Sequence, residues 1–349
     1  MSSSSLFTPA KEIVLTVLNG CSFAIIVSLI PAALLSQLLS ALPQTAPVLA
    51  ITSMINLAQC SLALLAGCAI GYLLKLSLLQ SGSIALACFV SAGNYQLTET
   101  GFIFNGPGVI LNILIAALVA TYCSIVCEKY FGALKLVFSS TVVLVVGGGI
   151  GFLSLPYTKA VQHVVGQATA MATDFTPLTM GIVLGIIFSI LVVSPLSSVG
   201  VAMSIGLAGI GSAAANAGIC AGAFTLALIS WKVNPFGISI AHFVGSPKIQ
   251  MANMLSKPQT FIPVIFAATI AGACSALLEL HGTPFSAGFG FSGLLGPLTA
   301  FQTSPGEMLA LRVILGFIVI PVSCAFIAQF IFVKKLKLIS AEDLIIKQQ

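Results

Sequence analysis

Long apolar runs almost empty of charge are what most restrict how this chain can fold. The sequence holds 13 Lys or Arg and 8 Asp or Glu among 349 residues, and 58% of it is hydrophobic. Soluble domains carry about 25% charged residues, so these few charges cannot cover a water-facing surface. Most of the surface must face lipid. The disordered and fibrous classes are excluded by the same numbers. No polar stretch is long enough to fold separately in water. The chain therefore reads as one integral-membrane domain over 1–349, with halves of roughly 1–160 and 161–333 and a short tail at 334–349.

A helix that crosses hydrocarbon needs about 20 mainly apolar residues. The expected class is all-α, a polytopic transmembrane helical bundle of about ten spans that includes re-entrant or broken-helix segments. The runs are 13–35, 47–74, 82–104, 106–127, 135–155, 177–194, 197–213, 214–232, 259–280 and 308–333. Polar or Gly-rich stretches interrupt the third, seventh and eighth. The first is longer than the core of a secretory signal, about 7–15 residues, and reads as a retained helix.

Basic residues set the orientation of such a chain, because Lys and Arg are retained on the cytoplasmic side. With the N-terminus inside and alternate crossings, Lys11, Lys75, Lys129, Lys135, Lys232, Lys248, Lys257, Lys334, Lys335, Lys337 and Lys347 fall inside, and only Lys159 and Arg312 fall outside. Both termini are then cytoplasmic and the protein belongs in the plasma membrane. Tyr72, Tyr130, Tyr157 and Trp231 sit at the proposed helix ends, the level that amphipathic rings prefer.

The net charge of +5 is thus an orientation signal, and no nucleic-acid partner is expected. Nine Cys lie in apolar runs with no Cys-x-x-Cys pair, where thiols behave as small apolar groups. Cys123 and Cys127 share a helix face but lack a His or carboxylate to complete a metal site. There is no Ser-His-Asp order and no His-Glu-x-x-His, so no catalytic residues, metal or cofactor are expected. Gly147-Gly148-Gly149-Ile150-Gly151 lacks the Lys-Ser/Thr of a phosphate loop. Gly206 to Gly222 reads as close helix packing through small residues, with Asn216 as its one polar exception.

Polar groups at membrane depth are costly unless paired or wetted, so three polar breaks mark candidate sites. The first runs from Ser91 to Asn112 and holds Asn94, Gln96, Thr98 and Glu99. It reads as a broken helix lining a polar cavity, or else as an ordinary extracellular loop. The second runs from Glu279 to Pro297, with His281, Thr283 and Ser292 among Gly and Pro. It must begin and end on the same side, which fits a re-entrant hairpin exposing backbone groups to a site. The third, Lys232 to Pro258, carries three Lys, no acid, and Asn234, His242, Gln250 and Asn253. It reads as a cytoplasmic interfacial helix, a wall of the solute path, or a docking face for a partner.

The second and third segments carry a resemblance. Asn234-Pro235-Phe236-Gly237, Gln250-Met251-Ala252-Asn253, Pro263, Thr283-Pro284 and Ala287-Gly288-Phe289-Gly290-Phe291-Ser292-Gly293-Leu294-Leu295-Gly296 resemble sugar permeases of the phosphotransferase system, enzyme IIC. The branch includes PfoR-like regulator proteins. Asn19-Gly20, Leu29-Ile30-Pro31 and Ser194-Pro195-Leu196-Ser197 fit the same pattern. The resemblance implies a helical permease, sugar translocation coupled to phosphorylation, and a homodimer. Thr98-Glu99 looks like the sugar-contacting Thr-Glu of that family, although it lies in the first half of the chain. Ala252 stands where the family commonly has Pro, and His281-Gly282 where it commonly has Asn residues.

The expected function is therefore transport of a sugar or similar small polar solute, with separate IIA and IIB proteins as partners. The expected solute-binding residues are Asn94, Gln96, Thr98, Glu99, Asn216, Asn234, His242, Gln250, Asn253, Glu279, His281, Thr283 and Ser292. The alternatives are an ion-coupled secondary transporter and a membrane sensor that binds solute without moving it.

Overall fold

In a computed structural model, residues 10–40 and 42–346 are described. The Ser-rich start Met1–Pro9, the side chain of Lys11, and Lys347 lie outside the described residues. The described residues divide into two compact units, one of 10–32 and 42–160, the other of 33–40 and 161–346.

The first unit contains most of α1 (Ala10–Ser40), α2 (Ala46–Cys60), α3 (Leu62–Leu73), α4 (Leu78–Val90), strands β1 (Tyr95–Thr98) and β2 (Gly101–Phe104), α5 (Ile110–Tyr130), α6 (Lys135–Val143), a π turn at Leu144–Gly148, and the start of α7 (Gly149–Met171). Helices α2 and α3 meet at a 50° bend. Asn94 explains it: its Nδ2 donates to the Cys60 carbonyl at 3.1 Å, taking an acceptor out of the helical ladder. Helix α4 starts on a capping box, with Ser77 and Gln80 each satisfying the other's backbone N–H.

Asn112 is the polar hub of this unit. Its Nδ2 donates to the carbonyls of Ser91 (2.6 Å) and Gly151 (2.8 Å), and its Oδ1 accepts from Ser154 (2.7 Å) and Thr158 (3.2 Å). The Gly147–Gly151 run is packing: a methyl group on Gly147 would meet the Ala120 backbone at 2.8 Å.

The second unit contains α8 (Pro177–Val192), α9 (Ser198–Ser204), α10 (Gly209–Ser230), α11 (Phe236–Val244), α12 (Met251–Ser256), α13 (Phe261–Leu277), α14 (Leu295–Thr303), α15 (Leu309–Ile314) and α16 (Ile320–Ala328), with π turns at Leu315–Val319 and Gln329–Lys335 and a last 3-10 turn at Ala341–Leu344. Helix α10 is its centre, with 89% of its most apolar stretch buried. Small residues let three backbones touch. A Cβ on Gly218 of α10 would lie 2.4 Å from the Gly185 carbonyl of α8, and one on Gly272 of α13 would lie 2.2 Å from the Gly181 carbonyl. This is the small-residue packing expected of lipid-embedded helices.

The same approaches set the directions of the helices. Leu184, Gly185 and Ser189 of α8 face Gly211, Gly218 and Gly222 of α10 in rising order, so α8 and α10 run parallel. The connection Val193–Ala208 must therefore travel back along the unit, and it has only the seven-residue α9 to do so. It is a broken element, irregular at both ends.

Among the described residues, six helices are long and apolar enough to span a membrane, or seven if the bent α2–α3 pair is one span. The expected ten spans are not supported. Three causes account for the difference. Run 82–104 is half helix and half β-hairpin, and runs 197–213 and 214–232 are the short α9 followed by one helix, α10. Helices α4 and α8 are apolar but short, at 13 and 16 residues. Hydropathy averages over a window, whereas the backbone breaks at single residues.

Candidate functional site

The broken helix expected around Glu99 is a two-stranded antiparallel hairpin, with Tyr95 opposite Phe104 and Thr98 opposite Gly101. Glu99 and Thr100 form its tip and are exposed. The aromatic alternation explains the strands: Tyr95 lies 5.8 Å from Phe102 and 6.3 Å from Phe104, ring centre to ring centre, and such cross-strand pairs hold a sheet. Thr98 Oγ1 donates to the Gly101 carbonyl at 2.8 Å. Gln96 is exposed, and Asn94 is buried at the hairpin base, bonded to Cys60 and Gly106.

In the second unit, three irregular segments converge beside α10. The first is the Gly-rich loop after α13. A backbone bridge joins Gly282 to Gly209 (2.9 and 3.0 Å), and Ser212 Oγ donates to the Thr283 carbonyl at 2.9 Å. The loop then runs down α10. Asn216 Oδ1 accepts from the N–H groups of both Gly288 (3.1 Å) and Gly290 (2.9 Å). A Cβ on Gly290 would strike Ile219 at 2.3 Å, and its φ of +62° is left-handed, so glycine is required there on both grounds. Ile219 lies about 15 Å along a helix of about 33 Å, close to its midpoint. The re-entrant reading of this segment thus has a concrete form: irregular backbone descends to mid-helix and α14 begins the return.

The second segment is the start of the broken return, Ser194–Ser198. Ser198 Oγ donates to the Gly288 carbonyl at 2.8 Å. The third is α11 with the turn after it, which folds back along α10 from the opposite end. Phe243 of α11 and Phe291 of the Gly-rich loop both pack on Phe224 of α10, at 5.0 and 5.4 Å. Lys248 is buried, and its Nζ donates to the carbonyls of Ser194 and Leu196, the latter at 2.9 Å. Those carbonyls follow the C-terminal end of α8, where a cation is favoured.

Asn216 stands out chemically. It is 99% buried, its oxygen is doubly used, and its Nδ2 has no partner among the described residues. A buried donor without an acceptor costs about 1–3 kcal/mol, so an oxygen-bearing guest would relieve it.

The other expected solute-binding residues of this loop and its flanks are placed as follows. Glu279 is exposed at φ +47° at the end of α13, and its carbonyl accepts from Arg312 at 3.0 Å. The backbone N–H of His281 donates to Ser304 Oγ at 2.8 Å. Thr283 and Ser286 cross-bond to shape the loop, at 3.0 to 3.2 Å. Ser292 is buried where the return begins.

Asn234, Gln250 and Asn253 all hold the C-terminal tail. Asn234 Nδ2 donates to the Leu344 carbonyl (2.8 Å) and its Oδ1 accepts from Ile346 N–H (2.9 Å). Gln250 donates to the Leu344 carbonyl and Asn253 to the Ile345 carbonyl, both at 2.9 Å. His242 lies behind them. Its Nδ1–H donates to the Ile238 carbonyl (2.8 Å), which leaves Nε2 to accept from Gln250 (3.0 Å).

The three Lys of this segment do not form one exposed docking face. Lys232 is exposed, Lys248 is buried, and Lys257 pairs with Asp343 at 2.6 Å. The segment's own sequence has no acid; the tail supplies it. Burial alone would raise the Asp343 carboxyl, but hydrogen bonds from Lys257 and the Ser340 N–H outweigh it and hold the group below its usual 3.8. A depressed carboxylate contributes stability above its unfolded value and loses it as pH falls through the folded one. The tail's protection from amide exchange is therefore expected to persist at pH 5 and to drop in the acid range below 3.8.

Sequence reasoning missed Ser198, Ser212 and buried Lys248. The Ser194-Pro195-Leu196-Ser197 break was the available signal, since it placed a Pro turn at the junction of two expected spans.

No curated protein matches the chain. Residues 15–346 match the family described as Phosphotransferase system, EIIC. With nearly all of its residues matched, a helical fold and several apolar spans, the chain belongs to the phosphotransferase-system EIIC family, the membrane permease component of sugar phosphotransferase systems.

Proposed function

We propose that this chain carries a sugar or similar small polar solute across the plasma membrane, binding it beside Asn216 and the Gly282–Leu294 loop. The observation that carries this reading is the unpartnered Nδ2 of Asn216, next to irregular backbone at mid-helix. A solute hydroxyl that leaves water needs partners, and a donor amide with nearby Ser and backbone groups supplies them. Helices broken at a midplane site are how transporters expose such groups.

The phosphoryl group reaches the solute from separate IIB and IIA proteins, docking on the cytoplasmic face. The Lys distribution is the support for both termini lying on that face. Resemblance to the family suggests a homodimer and kinship with the PfoR-like branch. Glu99 and Thr98 at the hairpin tip, together with Gln96 and Asn94, are the candidates of the first unit.

Uptake of a sugar panel into proteoliposomes, with and without phosphorylated IIB, tests the reading. Accumulation of a phosphorylated sugar only with IIB is the expected result. Accumulation driven by an ion gradient without IIB would instead identify a secondary transporter, and binding without flux a sensor. Glu99→Gln is expected to abolish uptake while leaving the fold intact if the hairpin tip touches sugar; unchanged uptake removes it from the site.

A further inference from the structure

The segment Ile339–Ile346 is held by several specific contacts. Three side-chain amides read its backbone, two on the Leu344 carbonyl and one on the Ile345 carbonyl, while Asn234 also takes the Ile346 N–H. Leu344 and Ile339 insert fully and join the apolar core of the second unit. Asp343 pairs with Lys257 and closes a capping box with Ser340. Backbone bonds, an anchored apolar side chain and a charge on one side are the elements by which grooves recognise extended peptides.

All four gripping residues come from one stretch, Asn234 to Lys257. That stretch also contributes Phe243 and Lys248 to the convergence beside α10. Gln250 links the two regions, since it bonds His242 of α11 on one side and the tail on the other. The grip is also reversible in principle. It uses hydrogen bonds, two inserted apolar side chains and one ion pair, with no covalent tie.

We propose that residues 234–257 form a peptide-binding groove whose ligand is the chain's own Asp343-Leu344-Ile345, and that this strap locks the α11–α12 segment until it is released. Tethering keeps the strap at an effective concentration in the millimolar range, so it stays bound by default. Release frees Asn234, Gln250 and Asn253 together. In the permease reading, on which this consequence alone rests, those amides become open to solute or to the phosphoryl-carrying partner.

Amide hydrogen exchange on the full chain in lipid nanodiscs tests the strap without any transport assay. In the wild type, residues 338–346 and 236–256 are expected to be protected. Leu344→Asp places a charge where Leu344 is buried, and Asn234→Ala removes two backbone bonds. Each is expected to raise exchange at least roughly 10-fold in both stretches and to leave α10 unchanged. If Leu344→Asp also raises exchange in α10, the unit has loosened as a whole, and Lys257→Gln decides, with a few-fold rise expected in the same two stretches.

Fast exchange of the tail in the wild type overturns the proposal. So does a freed tail with 236–256 still protected, because the tail would then be only a docked end. Should wild-type vesicles move no sugar, the permease reading fails while these exchange results still judge the strap.

Discussion

Gly218→Ala is expected to lower the thermal stability of the protein sharply. The added Cβ would lie 2.4 Å from the Gly185 carbonyl oxygen and 2.5 Å from its Cα, and both belong to backbone that cannot rotate away. Helices α8 and α10 must separate, and α13 is packed on both. Overfilling a tight core costs about 1–3 kcal/mol, occasionally more, and this site belongs at the upper end because the obstacle is main chain. A fall in Tm of about 10 °C in detergent follows for a unit of this size. Gly237→Ala is the control. It is exposed near the start of α11 with nothing within 4 Å of the new methyl group, and Ala is the better helix former, so its Tm should stay level or rise slightly. Equal melting of both variants would mean that the three-helix contact is wrong.

Asn216→Leu is expected to abolish solute uptake, with at least a 10-fold loss, in a protein that still folds. Leu has the same branched four-atom side chain as Asn but offers no acceptor, so the N–H groups of Gly288 and Gly290 lose their partner. Each orphaned group costs about 1–3 kcal/mol, and the loop should leave its seat on α10. Asn216→Asp separates two roles. As a carboxylate it can still accept from both glycines but has no proton to donate in place of Nδ2. Protected exchange at 286–292 with lost uptake would place that donor on the solute. Normal uptake in the Asp variant would show that Asn216 only holds the loop.

Parts of this architecture were legible without coordinates. The scarcity of charge announces membrane helices because lipid accepts no other surface. The small residues of 206–222 announce close helix contact, and Gly218 makes it. The Gly-rich stretch after Glu279 was expected to begin and end on one side; in the structure it runs down α10 to Ile219, and His281 and Ser304 meet at its two ends. Other parts were not legible. A hairpin of four-residue strands shows little against an apolar run, so Tyr95–Phe104 read as part of a span although its aromatic alternation was present. Val193–Ala208 read as part of two spans, because hydropathy does not register that seven helical residues are too few to cross.

The polar residues of 234–257 show the limit most clearly. Asn, Gln and His near a membrane surface have many possible partners, and their identity in sequence does not select one. The partner of the three amides is more than 90 residues away, at Leu344 to Ile346. Asp343 supplies the acid that the Lys cluster lacked, and Lys248 is drawn inward by carbonyls that no side-chain pattern reveals.

The sequence by itself determined the solvent this protein lives in, its helical class and its family, because those depend on composition and on short runs of neighbouring residues. Only the tertiary structure decided which polar groups are satisfied by the protein and which, like Asn216 Nδ2, are left for something else. The reason is physical: a hydrogen bond is a pairing between two atoms, and in a folded chain the second atom is rarely near the first in sequence.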